Sequence, residues 1–512
     1  MGKVTIPDEA KLTKHIDKNI DTLNEALGVG KSYDLICRKM TIAGKKKIAL
    51  YYVNGMVKED IMTMILHNLD ELDRQDISVH TLEKLLNEHI NHIQVQKESK
   101  LTTIINNVMS GPLALVIDGE DQALVIDVRN YPGRQPQEPD LEKVVRGSRD
   151  GFVETVLLNT ALLRRRIRDP RLRFEVMQSS IRSKTDIIIA YIEDVANEET
   201  VERIKERIKS INIDGLPMAE KAVEELITPG SYWNPFPKVR YTERPDVAAA
   251  HLLEGRVLVM VDTSPSVIIA PVTLWDHMQH AEEFRQNPAV GVYVRWARYL
   301  GIFTSIFLLP VWLLFALQPE LLPPDLRFIG PNEPGKIPLI GQFLIAEVAV
   351  DWIRMAAIHT PTPLATSLGI IAALLIGDMA TQVGLFTAEV IMYTAVSMVG
   401  VFLTPSFELS WANRLVRLFL LLAVAIFRLP GLIIATLAVF AYLANTKSFG
   451  VPYLWPVIPL NFQYLKTIFV RTPVSMQNTR PSILKPKEAI RQGTNQAAPE
   501  PARKPEERKK RK

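Results

Sequence analysis

Hydrophobic positions fall into two regimes along this chain. Before Arg295 they come as short runs and helical stripes set between charges; from Tyr299 to Phe462 they are almost continuous. In the first regime Lys47–Val53 is a β-rich run with a turn residue, Gly55, just beyond it. From Asp60 onward Ile61, Met64, Ile65 and Leu69 recur at helical spacing. Leu113–Ile117 and Leu124–Val128 flank a short acidic turn and predict a hairpin. Phe152–Ile167 reads as a helix, Thr185–Asp194 as a buried strand and Glu198–Ile211 as an amphipathic helix. Val257–Val261 and Val267–Ile269 predict a second hairpin. Strands alternate with helices, which points to α/β or α+β layers. No clear internal repeat is visible.

The second regime divides into apolar segments at Tyr299–Gln318, Pro338–Ile358, Leu364–Ala380, Leu385–Thr404 and Leu415–Ala444. A bilayer core takes about 20 apolar residues per helix. The last segment is too long for one upright helix, and Phe427–Gly431, which contains Pro430, predicts a kink or a short hairpin. The expected fold is therefore a two-part soluble α/β region followed by an α-helical multi-pass membrane domain of about 4–6 spans. The expected divisions are a loosely ordered leader (1–30), cytoplasmic α/β subdomains at 31–140 and 141–294, a membrane domain at 295–465 and a basic, disordered cytoplasmic tail at 466–512. A Pro- and Gln-rich stretch, Asn130–Asp140, makes the linker between the subdomains. Arg295 and Arg298 before the first segment place the soluble part inside, and Arg414 and Arg417 place the loop before the last segment inside too.

Composition refines this picture only locally. The chain has 512 residues, is 47% hydrophobic and 23% charged, and carries a formal net charge of +4, too small to argue for a nucleic-acid partner. Cys37 is the single cysteine, so no intrachain disulfide is expected. The N-terminus is polar, without the apolar core of a signal peptide, and Ile6 breaks the myristoylation pattern that Gly2 begins. The run Arg508–Lys512 reads as a solvated tail able to meet anionic lipid headgroups.

The informative chemistry is charge inside the apolar regime. Glu347, Asp351 and Arg354 share one helix face, and each unpaired charge in hydrocarbon costs at least about 2.5–3.5 kcal/mol. Such residues face a water path, pair with one another as a structural ion cluster, or mark an amphipathic helix lying in the membrane interface. Asp378 and Glu389 are two further acids, either intramembrane or at helix ends. Thr360, Pro361 and Pro363 break regular helix after His359, in a cavity-lining break or a surface loop. Other motifs are weaker. Gly28–Ser32 ends like a phosphate-binding loop, but Glu25 stands where its first glycine belongs. Glu88, His89 and His92, and Asp276, His277 and His280, have ligand-like spacing without filling a zinc shell. The basic run Arg164–Arg168 reads first as a solvated or salt-bridged face. No nucleophile, base and orienter set is present, and no cofactor is expected.

Three stretches resemble one family: Arg146–Glu175 ("RGSRDGFVETVLLNTALLRRRIRDPRLRFE"), Thr242–Pro271 ("TERPDVAAAHLLEGRVLVMVDTSPSVIIAP") and Ser448–Leu460 ("SFGVPYLWPVIPL"). Together they resemble the A subunits of bacterial spore germinant receptors, the GerA family. Within it, Asp351–Phe386 and Thr404–Leu422 look closer to a paralogous branch than to the nutrient-sensing subunits. Those usually carry "RE" where this chain has Asp351, Trp352 and Arg354, and "IGQAAVEAG" where it has Ile376–Gly384 ("IGDMATQVG"). The resemblance implies residence in the inner membrane of the endospore and an oligomeric channel of several copies that releases monovalent cations. It also implies a B-subunit-like membrane partner. A non-conducting scaffold of germination proteins is the alternative.

Overall fold

The computed structural model describes residues 7, 9–73, 81–90, 92, 94–131, 142, 144–228, 230, 232–331, 335–359, 380–473 and 476–491. They form two compact units. One comprises residues 1–229, 239–271 and 473–512; the other comprises 230–238 and 272–472.

The first unit contains the same topology twice. The first copy runs α1 (Ile16–Leu27), β1 (Leu35–Ile42), β2 (Lys46–Val53), α2 (Glu59–Asp70), α3 (Thr81–Lys84), β3 (Val95–Glu98), α4 (Leu101–Met109), β4 (Leu113–Ile117) and β5 (Ala123–Ile126). The second runs α5 (Val156–Arg166), β6 (Leu172–Ser179), β7 (Thr185–Ile192), α6 (Glu198–Lys209), α7 (Ala219–Ile227), β8 (Arg240–Thr242), α8 (Pro245–Glu254), β9 (Val257–Val261) and β10 (Val267–Ala270). Their sheets are ordered β1-β2-β4-β5-β3 and β6-β7-β9-β10-β8, with every neighbouring pair antiparallel. Both predicted hairpins are present.

Period-2 alternation of side chains between two covered faces explains why β4 and β5 are apolar throughout. On β4, Ala114 and Val116 join a cluster with Leu23 of α1 and Ile104 of α4, while Leu113, Leu115 and Ile117 join one with Ile65 and Leu69 of α2. Helices therefore cover both faces of the first sheet. The N-terminal 1–30 segment differs from the expected loose leader. Ile16, Ile20, Leu23 and Leu27 form one apolar stripe of α1 and are buried on the first sheet. Residues 476–491 likewise differ from a disordered tail. Arg480 donates to Leu253 O at 2.9 Å, and Lys487 pairs with Glu198 at 3.0 Å. The run Arg508–Lys512 lies outside the described residues.

The second unit is helical. It holds α9 (Leu274–Met278), α10 (Ala281–Arg285), α11 (Pro288–Leu317), α12 (Leu339–His359), α13 (Ala388–Phe402), α14 (Phe407–Asn445) and α15 (Phe462–Phe469). Two of these, α11 and α14, are long and apolar enough to cross a membrane among the described residues, and α13 is a shorter apolar helix. The predicted span Leu364–Ala380 lies almost wholly outside the described residues, so the expected 4–6 spans do not all have a described helix.

The 39 residues of α14 would reach about 58 Å as one straight helix. They do not form one. Arg428 breaks the helix at φ 56°, ψ −137°. A Cβ built on Gly431 would lie 2.1 Å from Ala423 O, an approach that eight residues of straight helix, about 12 Å of rise, cannot make. The chain folds back, and Gly431 is the residue that lets the two legs touch.

Candidate functional site

The charged face of α12 meets a second charged face on the first leg of α14. Glu347, Asp351 and Arg354 descend one side of α12 at helical spacing; Arg417, Arg414 and Ser410 ascend one side of α14. They pair in opposite order. Arg417 Nη2 donates to Glu347 Oε2 at 2.7 Å, and Arg414 Nη2 lies 3.2 Å from the same oxygen. Arg414 also donates to Glu347 O at 2.6 Å and forms an ion pair with Asp351. Arg354 donates to Ser410 Oγ at 3.2 Å and lies over the rings of Phe407 and Trp411, 4.8 and 4.6 Å from their centroids. The helices are thus joined by a ladder of ionic rungs.

The inner end of the ladder is the more buried. Glu347, Arg414 and Arg417 are 1%, 3% and 0% exposed. Arg417 Nη1 extends further, donating to Ser305 O of α11 and Ser397 Oγ of α13, both at 2.7 Å. Ser397 Oγ in turn donates to Ser305 O at 3.1 Å. Small residues make that reach possible. A Cβ on Gly400 would lie 2.2 Å from Gly301 O, so α11 and α13 cross with backbones in contact. Three arginines against two carboxylates leave a net charge of +1 if all are ionised. Among the described residues Glu347 Oε1 and Arg417 Nε, both buried, have no hydrogen-bond partner.

These positions change part of the sequence-based topology argument. Arg414 and Arg417 are interior rungs rather than markers of an inside loop. Arg295 is buried as well: its Nε donates to Glu283 Oε2 at 2.7 Å, and its Nη1 donates to Thr467 O and Ile468 O of α15. Glu389 lies in the first turn of α13, where the helix dipole favours an acid. Asp378, Thr360, Pro361 and Pro363 lie outside the described residues.

Residues 21–483 match the family model described as Bacillus/Clostridium GerA spore germination protein. The chain belongs to the GerA family. Stage V sporulation protein AF of Bacillus subtilis (strain 168) is 48% identical over 488 residues, covering 95% of this chain and 99% of that protein. Spore germination protein KA of the same organism is 30% identical over 479 residues, covering 93% of this chain and 88% of its own length. The crystal structure of the N-terminal domain of the A subunit of the Bacillus megaterium spore germinant receptor GerK3 aligns at 28% identity. It covers 52% of this chain and 98% of that one, with a TM-score of 0.41.

In this GerA-family chain the weaker sequence motifs have structural roles. Gly28 closes α1 with φ 79°, while Ser32 Oγ donates to Asp34 Oδ1 at 2.6 Å and accepts from Phe174 N at 3.0 Å. Asp276 completes a capping box with Thr273, and His280 caps α10 by accepting from Glu282 N. Among the described residues no group of three or more His, Cys, Asp or Glu side chains could hold a metal. Arg164, first of the basic run, is fully buried and clasps Asp34, its Nε and Nη2 donating to the carboxylate at 2.8 and 3.1 Å.

A polar cleft of about 480 Å³ opens beside this clasp, lined by Lys31, Tyr33, Arg173, Glu175, Tyr191 and Glu193 among others. Its arginine and its two glutamates are already engaged. Arg173 is held by Glu193 at 2.6 and 2.9 Å and by Pro170 O at 2.7 Å. Glu175 accepts from Tyr191 at 2.5 Å and pairs with Lys205 at 2.9 Å. Burial, reinforced by the Glu175 carboxylate, pushes the Tyr191 phenol well above its ordinary range.

Missing from the sequence-based site were Arg414 and Arg417 as partners, with Ser305 and Ser397. Two arginines one helical turn apart beside an apolar run were the available signal.

Proposed function

We propose that this chain is a multi-pass membrane subunit of a spore germination assembly that passes monovalent cations. In this reading several copies associate with one another and with a B-subunit-like membrane protein in the inner membrane of the endospore. The N-terminal unit lies on the cytoplasmic side. The observation that carries the reading is the ladder of five ionisable side chains between apolar helices, with Glu347, Arg414 and Arg417 buried, an expensive feature that membrane proteins keep mainly where ions or protons move. Glu347 and Asp351 are the acids offered to the path. Asp378 and Glu389 are further candidates, with Thr360, Pro361 and Pro363 as a break between helices. In the ladder, Arg414 and Arg417 occupy the carboxylates of Glu347 and Asp351. A cation gains those acids only when α12 and α14 part, so the ladder holds the path shut. The outer face of α12, with Trp352 67% exposed, is available to further subunits or lipid.

Potassium efflux from vesicles carrying the full chain, with and without a B-type partner, tests this. Arg417→Ala should raise resting efflux, and Glu347→Gln with Asp351→Asn should lower stimulated efflux. Efflux identical in all variants sinks the role given to the ladder.

The second reading is a non-conducting scaffold. It is favoured by Glu347 already being met by two arginines. Under it neither parent nor variants conduct, and ladder changes lower only stability and co-purification of partners.

A further inference from the structure

We infer that residues 476–491 form a tie that fastens the chain leaving the helical unit to the second α/β copy and restrains the two units against each other. These residues close a loop on themselves. Arg491 N donates to Asn478 O at 2.8 Å, Arg480 N donates to Ala489 O at 2.9 Å, and Thr479 and Ile490 make an antiparallel bridge. Arg480, only 8% exposed, braces the loop from within: its Nη1 donates to Glu488 O and Ile490 O at 2.8 and 2.7 Å. A loop whose ends meet and whose own side chains fill it can dock as one piece. It docks at two places on the second copy. Arg480 Nε reaches Leu253 O in the last turn of α8, where helix carbonyls lack internal partners and the dipole favours a cation. Beyond β7, Lys487 N donates to Val195 O at 3.1 Å, and Lys487 Nζ pairs with Glu198 of α6 at 3.0 Å. Leu484 is buried as well.

The other end of the tie is fixed too. Before the loop the chain leaves α15, and two arginines hold it there. Arg295 of α11 donates to Thr467 O and Ile468 O, and Arg471 donates to Phe284 O and Gln286 O at the end of α10. The seven steps from Arg471 to Asn478 span at most about 25 Å, so the leash is short. The helical unit also continues directly from β10, which ends at Ala270, into Val272. Its chain is therefore attached to the second copy at both ends, and a unit attached twice pivots less than one attached once. Movement of that copy reaches α11 through α15, and α11 carries the Ser305 carbonyl that holds Arg417. A link from the tie to the ladder rests on the latch reading above; the restraint itself stands apart from ion flow and is tested without it.

The full chain with Cys37→Ser receives nitroxide labels through Lys209→Cys on α6 and Tyr293→Cys on α11, both exposed positions. Pulsed electron resonance on the solubilised protein measures the distance distribution between them, and hydrogen exchange of residues 476–491 reports docking. In the parent the loop should be protected and the distribution narrow. Arg480→Ala should let the loop exchange and broaden the distribution. Ten Gly/Ser residues inserted after Pro473 add about 16–19 Å of reach and should broaden the distribution at least about twofold. The insertion touches no docking contact, so the loop should stay protected in it, which separates slack from misfolding. A loop that exchanges freely in the parent overturns the tie. So does a distribution that keeps its width once the loop is released or slackened.

Discussion

Two of the buried ionic clusters in this molecule, one in each unit, are built differently. In the first unit Arg164 clasps Asp34 with every guanidinium nitrogen donating: Nε and Nη2 to the carboxylate, Nη2 also to Leu172 O at 2.9 Å, and Nη1 to Asp169 O at 2.9 Å. Its charges balance one to one, and the guanidinium lies over Phe174, 5.0 Å from the ring centroid. In the helical unit the ladder has three arginines for two carboxylates, and Glu347 Oε1 and Arg417 Nε have no hydrogen-bond partner among the described residues. A satisfied network is rigid, whereas an under-satisfied one has less to lose when its helices move apart. The clasp has the character of a permanent joint and the ladder that of a latch.

The largest expected effect separates these two. Asp34→Ala leaves Arg164 buried without its counter-charge and should destabilise the first unit by about 3–5 kcal/mol. Limited proteolysis of the full chain along a denaturant series reads this as early loss of protection in residues 144–228. Next comes Gly400→Leu. Its side chain meets the Gly301 carbonyl rather than a movable side chain, so α11 and α13 must separate. Overpacking of this kind costs about 1–3 kcal/mol, and a thermal melt of the detergent-solubilised protein should show it. Glu347→Gln should cost less, about 1–2 kcal/mol, because the amide oxygen still accepts from Arg417 while Arg414 keeps Asp351. A loss from Glu347→Gln as large as that from Asp34→Ala would erase the distinction between joint and latch.

What could be read beforehand follows the same division between local and distant contacts. The apolar run Leu113–Ile117 and the turn after it define a hairpin within a few residues, and the stripe of α12 is likewise local. The break at Phe427–Gly431 was legible because proline and glycine act where they stand. The leader was misjudged because α1 carries its apolar stripe among Asp17, Lys18, Asn19, Asp21 and Glu25, so its mean polarity hides its period. The repeat was invisible for another reason. Two copies of one topology need only equivalent alternation, not equivalent residues: β1 is LICRKMTI and β6 is LRFEVMQS. The partners of Glu347 lie 67 and 70 positions away, at Arg414 and Arg417, and no spacing rule reaches that far.

The smallest effect tests whether the helical unit stores its strain at the latch or at the turn. Arg428 has φ 56° and ψ −137°, a conformation nearly reserved for glycine. Its neighbours require it, since Gly431 touches Ala423 only if the chain reverses there. Arg428→Gly removes the Cβ conflict and should raise stability by about 1 kcal/mol, seen as a small upward shift in the melt of the solubilised protein. Arg428→Ala keeps the conflict and removes only the guanidinium, so it should shift the melt little. If glycine and alanine both lower the melt equally, the guanidinium anchors the turn and the strain is not relieved there. If glycine alone raises it while leaving potassium efflux unchanged, the turn is a passive fold-back, and the ladder remains the movable part of the helical unit.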